Sequence, residues 1–389
     1  MELRKVRLGD VASFVMDKVR SDDITLSEYV TTDSLLQNKT GRTVAQNLPP
    51  QPCSLTRYKS GDVLIGNIRP YLKKIWLADG GGGCSNDVLA FRAKEGFSSS
   101  FLYAILSQDT FFDYLMLAAK GSKMPRGDKD HAMRFKVPSI PIEQQRRIGK
   151  LLSDIDRKIA LNRRMNAKLE AMARQLYDYW FLQFDFPDAH GKPYKSSGGK
   201  MTWNNKLKRD IPEGWEVMPI GEILDKYPST KRYETKDYLP VGRYPIVDQG
   251  DAFIVGYTNE EENLLRRHPA VLFGDHSTKV KYLDFDFARG ADGTQVLYSS
   301  HSAICQYYLY LAVSSMQIPN PGYSRHFKYL KDMPITVPDM RTASEFERII
   351  LPISKEWTKN IFCNISLTRL RTTLLPLLMN GQVSVEEPQ

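Results

Sequence analysis

The segment IGKLLSDIDRKIALNRRMNAKLEAMARQLYDYW, residues 148–180, decides the architecture that the sequence predicts. Its seam residues are spaced alternately by four and three positions, which is the heptad pattern of a helix that packs along one side. The seam positions are Ile148, Leu152, Ile155, Ile159, Asn162, Asn166, Leu169, Ala173, Leu176 and Trp180. Two of them are asparagines, whose amides cost free energy when they are buried without partners. The pattern predicts a helix of about 33 residues.

A second segment, FERIILPISKEWTKNIFCNISLTRLRTTLLPLL at 346–378, repeats this pattern 198 residues later. Its seam positions are Phe346, Ile350, Ile353, Trp357, Asn360, Asn364, Leu367, Arg371, Leu374 and Leu378. Arg371, in the position equivalent to Ala173, departs from the apolar pattern. Because proline interrupts helix interiors, we expect this helix to begin near Pro352 and to bend or end near Pro376.

Each long helix either covers its own globular region or packs against the other helix. We favour packing against each other, and the chain path then makes the two helices antiparallel, since one leads away from the first region and the other returns. The midpoints of the two seams then coincide. Asn162 should face Asn364 and Asn166 should face Asn360, so that facing amides satisfy one another and define the register.

The rest of the chain is also repeated. Leu8-Gly9 in VRLGDVASFV matches Ile220-Gly221 in IPEGWEVMPIGEIL, and each half continues with strand-like segments, an aromatic-rich helix and a glycine-marked basic loop. We therefore expect globular regions at 1–142 and 215–340, and long helices at 143–182 and 341–380. The polar segment 183–214, rich in Gly, Pro and Lys, is predicted to be a linker.

The composition is that of an ordinary globular protein of 389 residues, with 42% hydrophobic and 25% charged residues. No apolar run of membrane-spanning length and no signal-peptide pattern is present, and the four cysteines fit no zinc or disulfide framework, so we expect a cytoplasmic location. The net charge of +9 favours a polyanionic partner such as nucleic acid. A mildly basic cytosolic protein without such a partner is the alternative.

Motifs for catalysis are missing from the sequence. There is no Walker A motif, no GxGxxG spacing and no Asn-Pro-Pro-Tyr or Asp-Pro-Pro-Tyr, and the histidines lack metal-ligand spacing. Asp284 and Asp286 could hold a metal, but their alternation with aromatic residues is more typical of a strand with one wet face. We therefore expect no catalytic residue, no metal and no cofactor in this chain.

Basic loops recur at equivalent places in the two halves. Lysine suits phosphate contacts, arginine suits guanine edges, and neighbouring glycines permit close approach to DNA. A solvated surface loop is the alternative reading of such a run of charge. The candidate DNA-binding residues are Arg69, Tyr71, Lys73, Lys74, Lys123, Arg126, Lys129, Arg134, His276, Lys279, Lys281, Tyr323, Arg325, His326 and Lys328.

Nearly the whole chain resembles the specificity subunit of type I restriction-modification systems. The likeness lies in IPEGWEVMPIGEI, SGDVLIGNIRPYL and GSKMPRGDKDHAMRFKVPSIPIEQQRRIGKLL, in this order within a repeat. ITVPDMRTASEFERI departs from the family's proline-then-glutamine pattern. The resemblance implies an α+β fold with two pseudo-twofold-related target-recognition domains, mixed α/β and strand-rich, separated by two long antiparallel coiled-coil helices.

The same resemblance implies partners for the chain. These are double-stranded DNA, two methyltransferase (modification) subunits and motor-nuclease (restriction) subunits, which would hold S-adenosylmethionine, ATP and magnesium. A seam of about 32 residue steps is about 48 Å long, or roughly 14 base pairs, which would leave an unread spacer between two half-sites. The alternatives are a stand-alone DNA methyltransferase or nuclease, and a coiled-coil interaction protein without a DNA role.

Overall fold

The computed structural model describes residues 4–121, 123–225, 230–319 and 325–385. They form two compact units: unit 1 is Met1–Leu161 with Asn364–Gln389, and unit 2 is Asn162–Cys363. Both boundaries fall inside the long helices. No helix in these described ranges is long and apolar enough to cross a membrane.

Unit 1 is built on two four-stranded sheets and a two-stranded ribbon. The strands are β1 (Lys5–Arg7), β2 (Ala12–Phe14), β3 (Lys18–Arg20), β4 (Tyr29–Val30), β5 (Ser54–Tyr58), β6 (Val63–Gly66), β7 (Ile75–Leu77), β8 (Gly82–Cys84), β9 (Val88–Ala93) and β10 (Lys136–Pro138). The sheets have the orders β2-β9-β6-β7 and β3-β5-β8-β4, and β1 pairs with β10 in antiparallel register.

Short helices cover one sheet of unit 1. They are α1 (Leu8–Val11), α2 (Ser99–Leu106), α3 (Asp109–Leu117) and α4 (Lys129–Met133). Strand β6, VLIG, is buried along its whole length, as its apolar and β-branched residues favour. Helix α2 begins where Ser98 Oγ accepts a hydrogen bond from Phe101 N. Its apolar residues join those of β6 in one core.

Unit 2 repeats this construction. Its strands are β11 (Met201–Asn204), β12 (Arg209–Pro212), β13 (Glu216–Pro219), β14 (Arg232–Tyr233), β15 (Tyr244–Val247), β16 (Gly256–Thr258), β17 (Leu264–Leu265), β18 (Ala270–Gly274), β19 (Val280–Leu283), β20 (Phe287–Gly290), β21 (Thr294–Leu297) and β22 (Pro334–Val337). The sheets have the orders β19-β18-β21 and β14-β20-β15-β16, with β17 also on β20. The helices are α6 (Ile220–Ile223), α7 (Gln306–Ser315) and α8 (His326–Asp332).

Equivalent hydrogen bonds confirm the internal repeat. Leu8 N donates to Phe135 O at 2.7 Å, and Ile220 N donates to Met333 O at 2.9 Å. Strands β1 and β10 pair as β13 and β22 do, and the order β7-β6-β9 corresponds to β19-β18-β21. The two halves therefore share one construction, as the sequence predicts.

The segment predicted to be a linker contains ordered structure. Strands β11 and β12 pair in an antiparallel hairpin, with Thr202 opposite Ile211. Phe184 and Phe186 are buried, and the ring of Phe186 stacks on that of Trp215 at 5.1 Å. Composition alone missed this because the few aromatic residues that anchor the segment are outnumbered by Gly, Pro and Lys.

The long helices are α5 (Ile142–Tyr177), which continues into a π-helical turn at Asp178–Leu182, and α9 (Met340–Met379). The prediction that the second helix begins near Pro352 is wrong. Asp339 caps α9 by accepting from Thr342 N at 3.0 Å, twelve residues or more before that proline. A proline removes one backbone donor, and the packing of α9 outweighs that loss at both Pro352 and Pro376.

The two helices run antiparallel in unit 2. In unit 2, Asn360 Nδ2 donates to Asn166 Oδ1 at 3.0 Å, and the rings of Trp180 and Phe346 lie 5.7 Å apart. The contacts thus move forward along α5 from 166 to 180 and backward along α9 from 360 to 346. This confirms the predicted pairing of Asn166 with Asn360. The pairing of Asn162 with Asn364 stays a prediction.

Arg371, the departure from the apolar seam, lies in unit 1. Its Nε is 2.8 Å from Asp156 Oδ1, and its guanidinium donates to Ser107 Oγ at 2.9 Å. The side chain is 12% exposed. Arg371 therefore connects α9 to α5 and to the end of α2, where an apolar residue could make no ion pair.

Candidate nucleic-acid interface

In unit 1 the structure brings the two predicted basic loops together. The 67–74 loop follows β6, and the 123–128 loop precedes α4. Arg69 N donates to Pro125 O at 2.7 Å, and Gly127 N donates to Asn67 O at 3.2 Å. A Cβ on Gly127 would lie 2.9 Å from Asn67 Oδ1, so the close approach of the loops requires glycine there. Residues more than fifty positions apart thus form one surface.

The predicted cations of this surface differ in their ion pairs. Lys73 Nζ is 2.8 Å from Asp109 Oδ1, Arg126 is 3.0 Å from Asp87 Oδ1, and Lys74 Nζ donates to the carbonyl of Thr32. The remaining predicted cations are exposed and form no ion pair within the described part of the chain; these are Arg69, Lys123, Lys129 and Arg134. Among the predicted cations of unit 1, these four are the best placed to meet an anion.

Tyr71 supplies an exposed aromatic ring to the same surface. It lies in a short 3-10 turn, Pro70–Leu72, and is 51% exposed. Residues on both sides of this turn, Arg69 and Lys73, have left-handed backbone conformations, with φ of 52° and 51°. The turn is therefore flanked by two residues in a backbone conformation that costs free energy for any residue other than glycine.

Helix α4 follows the 123–128 loop and begins with Lys129, and Arg134 comes directly after its last residue. Asp128 caps it by accepting from His131 N at 2.9 Å. That hydrogen bond, followed by the side chain of Lys120, lowers the pKa of the Asp128 carboxyl. The cap stays ionised at neutral pH, and the helix start is stabilised accordingly.

In unit 2 the corresponding loop is the 274–279 turn between β18 and β19. Gln249 holds it, since Oε1 accepts from His276 N at 3.0 Å and Nε2 donates to Asp292 O at 2.7 Å. Asp275 N donates to Gly293 O at 2.7 Å, so a third loop joins the cluster. His276 is exposed, and Lys279 forms an ion pair with Asp251.

Helix α8 begins at this cluster. Its first residues donate to Asp275: His326 Nδ1 and N to the backbone carbonyl, and Phe327 N to Oδ1 at 2.7 Å. Arg325 and Lys328 are exposed on either side of His326. The predicted residue Tyr323 lies outside the described residues.

Two predicted DNA contacts are in the protein interior. Lys281 is 8% exposed, and its Nζ donates to Asp248 O at 2.8 Å and to Ala252 O at 2.5 Å. Burial lowers the pKa of this lysine to about 8. His326 is 4% exposed. The side chains of both residues bind backbone carbonyls of the loops, and neither is accessible to a ligand.

The residues that join the loops were missed by sequence reasoning. Asn67 and Asp275 each follow the glycine that ends the central strand, β6 or β18. Asn67 binds the segment before α4, and Asp275 binds the first residues of α8. The signal was available, because IGN at 65–67 and FGD at 273–275 stand in equivalent places. Asn67 and Asp275 are neither cationic nor aromatic, so charge and aromatic content do not reveal them.

Groups of His, Cys, Asp or Glu arranged to hold a metal ion are not found among residues 4–121, 123–225, 230–319 and 325–385. Asp284 and Asp286, considered above as metal ligands, instead lie beside a histidine. His268 Nδ1 is 3.2 Å from Asp284 Oδ1, and Nε2 is 3.5 Å from Asp286 Oδ1. His268 therefore lies between the two carboxylates.

Known proteins with this arrangement are involved in DNA specificity. Residues 2–171 match the family model of the type I restriction modification DNA specificity domain. The type I restriction enzyme MjaIX specificity subunit of Methanocaldococcus jannaschii is 23% identical over 86% of this chain and 80% of its own length. The EcoR124I/EcoR124II specificity subunit of Escherichia coli is 28% identical over 39% of this chain and 40% of its own.

A solved structure shares the fold over the full length. The type I restriction-modification S subunit of M. genitalium has a TM-score of 0.61 and 15% identity, with 97% of this chain and 96% of that chain covered. The mixed α/β fold with strand-rich sheets and two long helices, predicted from the sequence, is thereby confirmed. Residues 2–171 therefore match the type I restriction modification DNA specificity domain, and the chain as a whole is similar to specificity subunits of type I restriction enzymes.

Proposed function

We propose that this chain is the non-catalytic subunit that selects the DNA sequence for a type I restriction-modification complex. Each unit reads one half of a split target through the loops that follow its central strand, β6 or β18. The observation that carries this proposal is the recurrence of one construction in both units: a loop after the central strand is hydrogen-bonded at, or just before, the start of a short helix, α4 or α8. A repeated reader suits a target with two parts.

The long helices are proposed to determine the spacing of the two half-sites. Helix α5 has 36 residues and α9 has 40. At about 1.5 Å per residue these helices are about 54 and 60 Å long, which exceeds one turn of DNA. The base pairs between the half-sites would then be left unread, and their number would depend on the helices.

The methyltransferase subunit is proposed to dock on an apolar groove of unit 2. The groove has a volume of about 590 Å³ and is lined by side chains of α5 and α9. Met172 is 54% exposed and Tyr179 is 39% exposed, and Leu176, Ile349 and Ile353 lie between them. Exposed apolar surface of this kind is typical of protein–protein contacts. S-adenosylmethionine, ATP and magnesium would be bound by the methyltransferase and motor-nuclease partners.

Methylome sequencing tests the proposal. Cells that carry this chain and its methyltransferase subunit should methylate a target of two short half-sites with an unread spacer. A single continuous target would contradict the two-reader proposal. The isolated chain should neither methylate nor cleave DNA, and either activity would support a stand-alone enzyme instead.

A DNA-binding measurement separates the remaining alternative. Affinity for a duplex carrying the target should fall steeply as salt increases, because phosphate contacts release counterions. A coiled-coil protein without a DNA role would show no sequence preference and no such slope.

A further inference from the structure

A third loop of unit 1, residues 36–41, lies against the 67–74 loop. Asn38 N donates to Leu72 O at 3.0 Å, and Lys39 N donates to Lys73 O at 2.9 Å. Leu36 N donates to Gly41 O at 2.9 Å and closes the loop on itself. The 36–41 loop is therefore attached by its backbone to the part of the candidate interface that carries Tyr71.

Side chains secure the same contact. Lys39 Nζ and Lys73 Nζ both approach Asp109 Oδ1, at 2.7 and 2.8 Å. One lysine comes from each loop, and Asp109 is the first residue of α3. The shared carboxylate neutralises charge that would otherwise separate the loops, and it anchors both to a helix of the core.

Backbone strain is concentrated here. Among the described residues, eight other than glycine have a positive φ, and four of them belong to these two loops. They are Asn38 at 54°, Lys39 at 61°, Arg69 at 52° and Lys73 at 51°. Such conformations persist where the surrounding structure enforces them, and they cluster at binding sites.

The loop offers two exposed amides. The backbone carbonyl of Gln37 accepts from Thr40 Oγ1 at 2.7 Å, and Asn38 N is engaged with Leu72, so the backbone groups are used within the protein. The side-chain amides of Gln37 and Asn38 are exposed and have no hydrogen-bond partner within the described part of the chain. They are the donors and acceptors left for a ligand.

We propose that Gln37 and Asn38 each read a base edge in the half-site of unit 1, and that each of these bases is adenine. An amide side chain matches adenine in the major groove, since it can accept from N6 and donate to N7 at the same time. This inference rests on the proposed function. It adds two base-reading residues to the candidate interface. They lie in the 36–41 loop, which the pattern of basic and aromatic residues does not identify.

Unit 2 differs at this point. Its amide, Gln249, is occupied by His276 N and Asp292 O and serves to hold the 274–279 turn. Base recognition by side-chain amides of the 36–41 loop is therefore a property of unit 1. Removing those amides should leave DNA recognition by unit 2 intact. The second half-site thus provides an internal control.

Two variants remove the amides without altering the backbone. Gln37→Ala deletes one amide, and Asn38→Gly deletes the other while keeping a residue that adopts positive φ freely. In the complex with the methyltransferase subunit, methylation rates are measured on duplexes in which each target base pair is replaced in turn. Asn205→Ala, an exposed amide on the hairpin of unit 2, is the matched control.

We expect discrimination at one adenine position of one half-site to fall by about 5- to 150-fold in either variant, with the other half-site unchanged. Unchanged discrimination at every position would overturn the assignment. So would a uniform loss of affinity for all sequences together with a smaller salt slope, since that result identifies phosphate contacts. If the unmodified complex methylates DNA without sequence preference, the proposed function itself fails, and the inference fails with it.

Discussion

Asn360 Nδ2 donates to Asn166 Oδ1 at 3.0 Å, and Asn166 Nδ2 in turn donates to the carbonyl of Trp357 at 3.0 Å. Asn360 is 5% exposed. Two of the polar residues of the seam thus form a continuous chain of hydrogen bonds, which any shift of the helices by a turn would break. Polar pairs of this kind favour one register over others at some cost in stability.

The first prediction concerns this pair. Asn166→Leu or Asn360→Leu alone should lower the free energy of unfolding by about 1–3 kcal/mol, because the remaining amide loses its partner. The double variant should lose less than the sum, and the coupling should be about 0.5–3 kcal/mol in a urea-denaturation cycle. Lys359→Ala, an exposed neighbour, serves as the control. Additive effects would show that the two amides act independently.

The second asparagine pair remains to be tested. Asn162 is 1% exposed. If Asn162 faces Asn364, replacing both with leucine should raise the free energy of unfolding while loosening the register of the helices. Cysteine cross-linking at neighbouring seam positions would detect alternative registers. Cross-links restricted to a single register in the double variant would count against this role.

A further prediction concerns the ion pair of Arg371 with Asp156. Arg371→Met should lower the free energy of unfolding by about 3 kcal/mol or less, because it removes a cation from beside a partly buried carboxylate. Adding Asp156→Ala should recover part of the loss, since that carboxylate is then removed. Thermal and urea denaturation measure both. Equal stability of the single and double variants would contradict this explanation.

Lys281 predicts a pH dependence. Its pKa in the folded state is lowered to about 8 by burial, below the usual value for lysine. Between this value and about 10.4 the unfolded chain binds more protons than the folded one, so stability should rise with pH. Between pH 7.5 and 9.5 we expect a gain of roughly 1–2 kcal/mol that Lys281→Met lacks. An identical pH profile in the variant would exclude Lys281 as its source.

The proposed docking groove can be tested by charge insertion. Met172→Glu should weaken binding of the methyltransferase subunit by about 30-fold or more, because a carboxylate would be buried in an apolar contact. Met16→Glu, at a residue of unit 1 that is 77% exposed, is the matched control. Calorimetric titration and native mass spectrometry report the affinity and stoichiometry. Unchanged binding would place the docking surface elsewhere.

The DNA interface has an electrostatic prediction. Arg134→Ala removes an exposed cation with no ion pair within the described residues, so DNA affinity should fall. If Arg134 contacts a phosphate, the salt slope should decrease by about 1. Lys195→Ala, an exposed lysine in the segment between the repeats, should leave the slope unchanged. A loss confined to one base position would identify Arg134 as a base reader instead.

Much of the architecture follows from patterns that are local or repeated. The four-three spacing predicted the long helices, and the chain path predicted their direction. The pairing of Asn166 with Asn360 followed from the midpoints of the seams. The helix start at Met340 was not predicted, because a local rule treats Pro352 as a helix breaker. In the folded protein, the cost of one proline is smaller than the stabilisation from packing of a forty-residue helix.

The sequence by itself determined the repeat, the helix periodicity and the resemblance to type I specificity subunits. Tertiary structure alone decided which of the basic residues are on the surface: Lys281 and His326 are buried, Lys73 is paired with Asp109, and Arg69 and Arg134 remain exposed. It also placed the 36–41 loop beside Tyr71. The physical reason is that helix periodicity depends on residues a few positions apart in the sequence. Burial and ion pairing depend on distances between residues that are far apart in the chain.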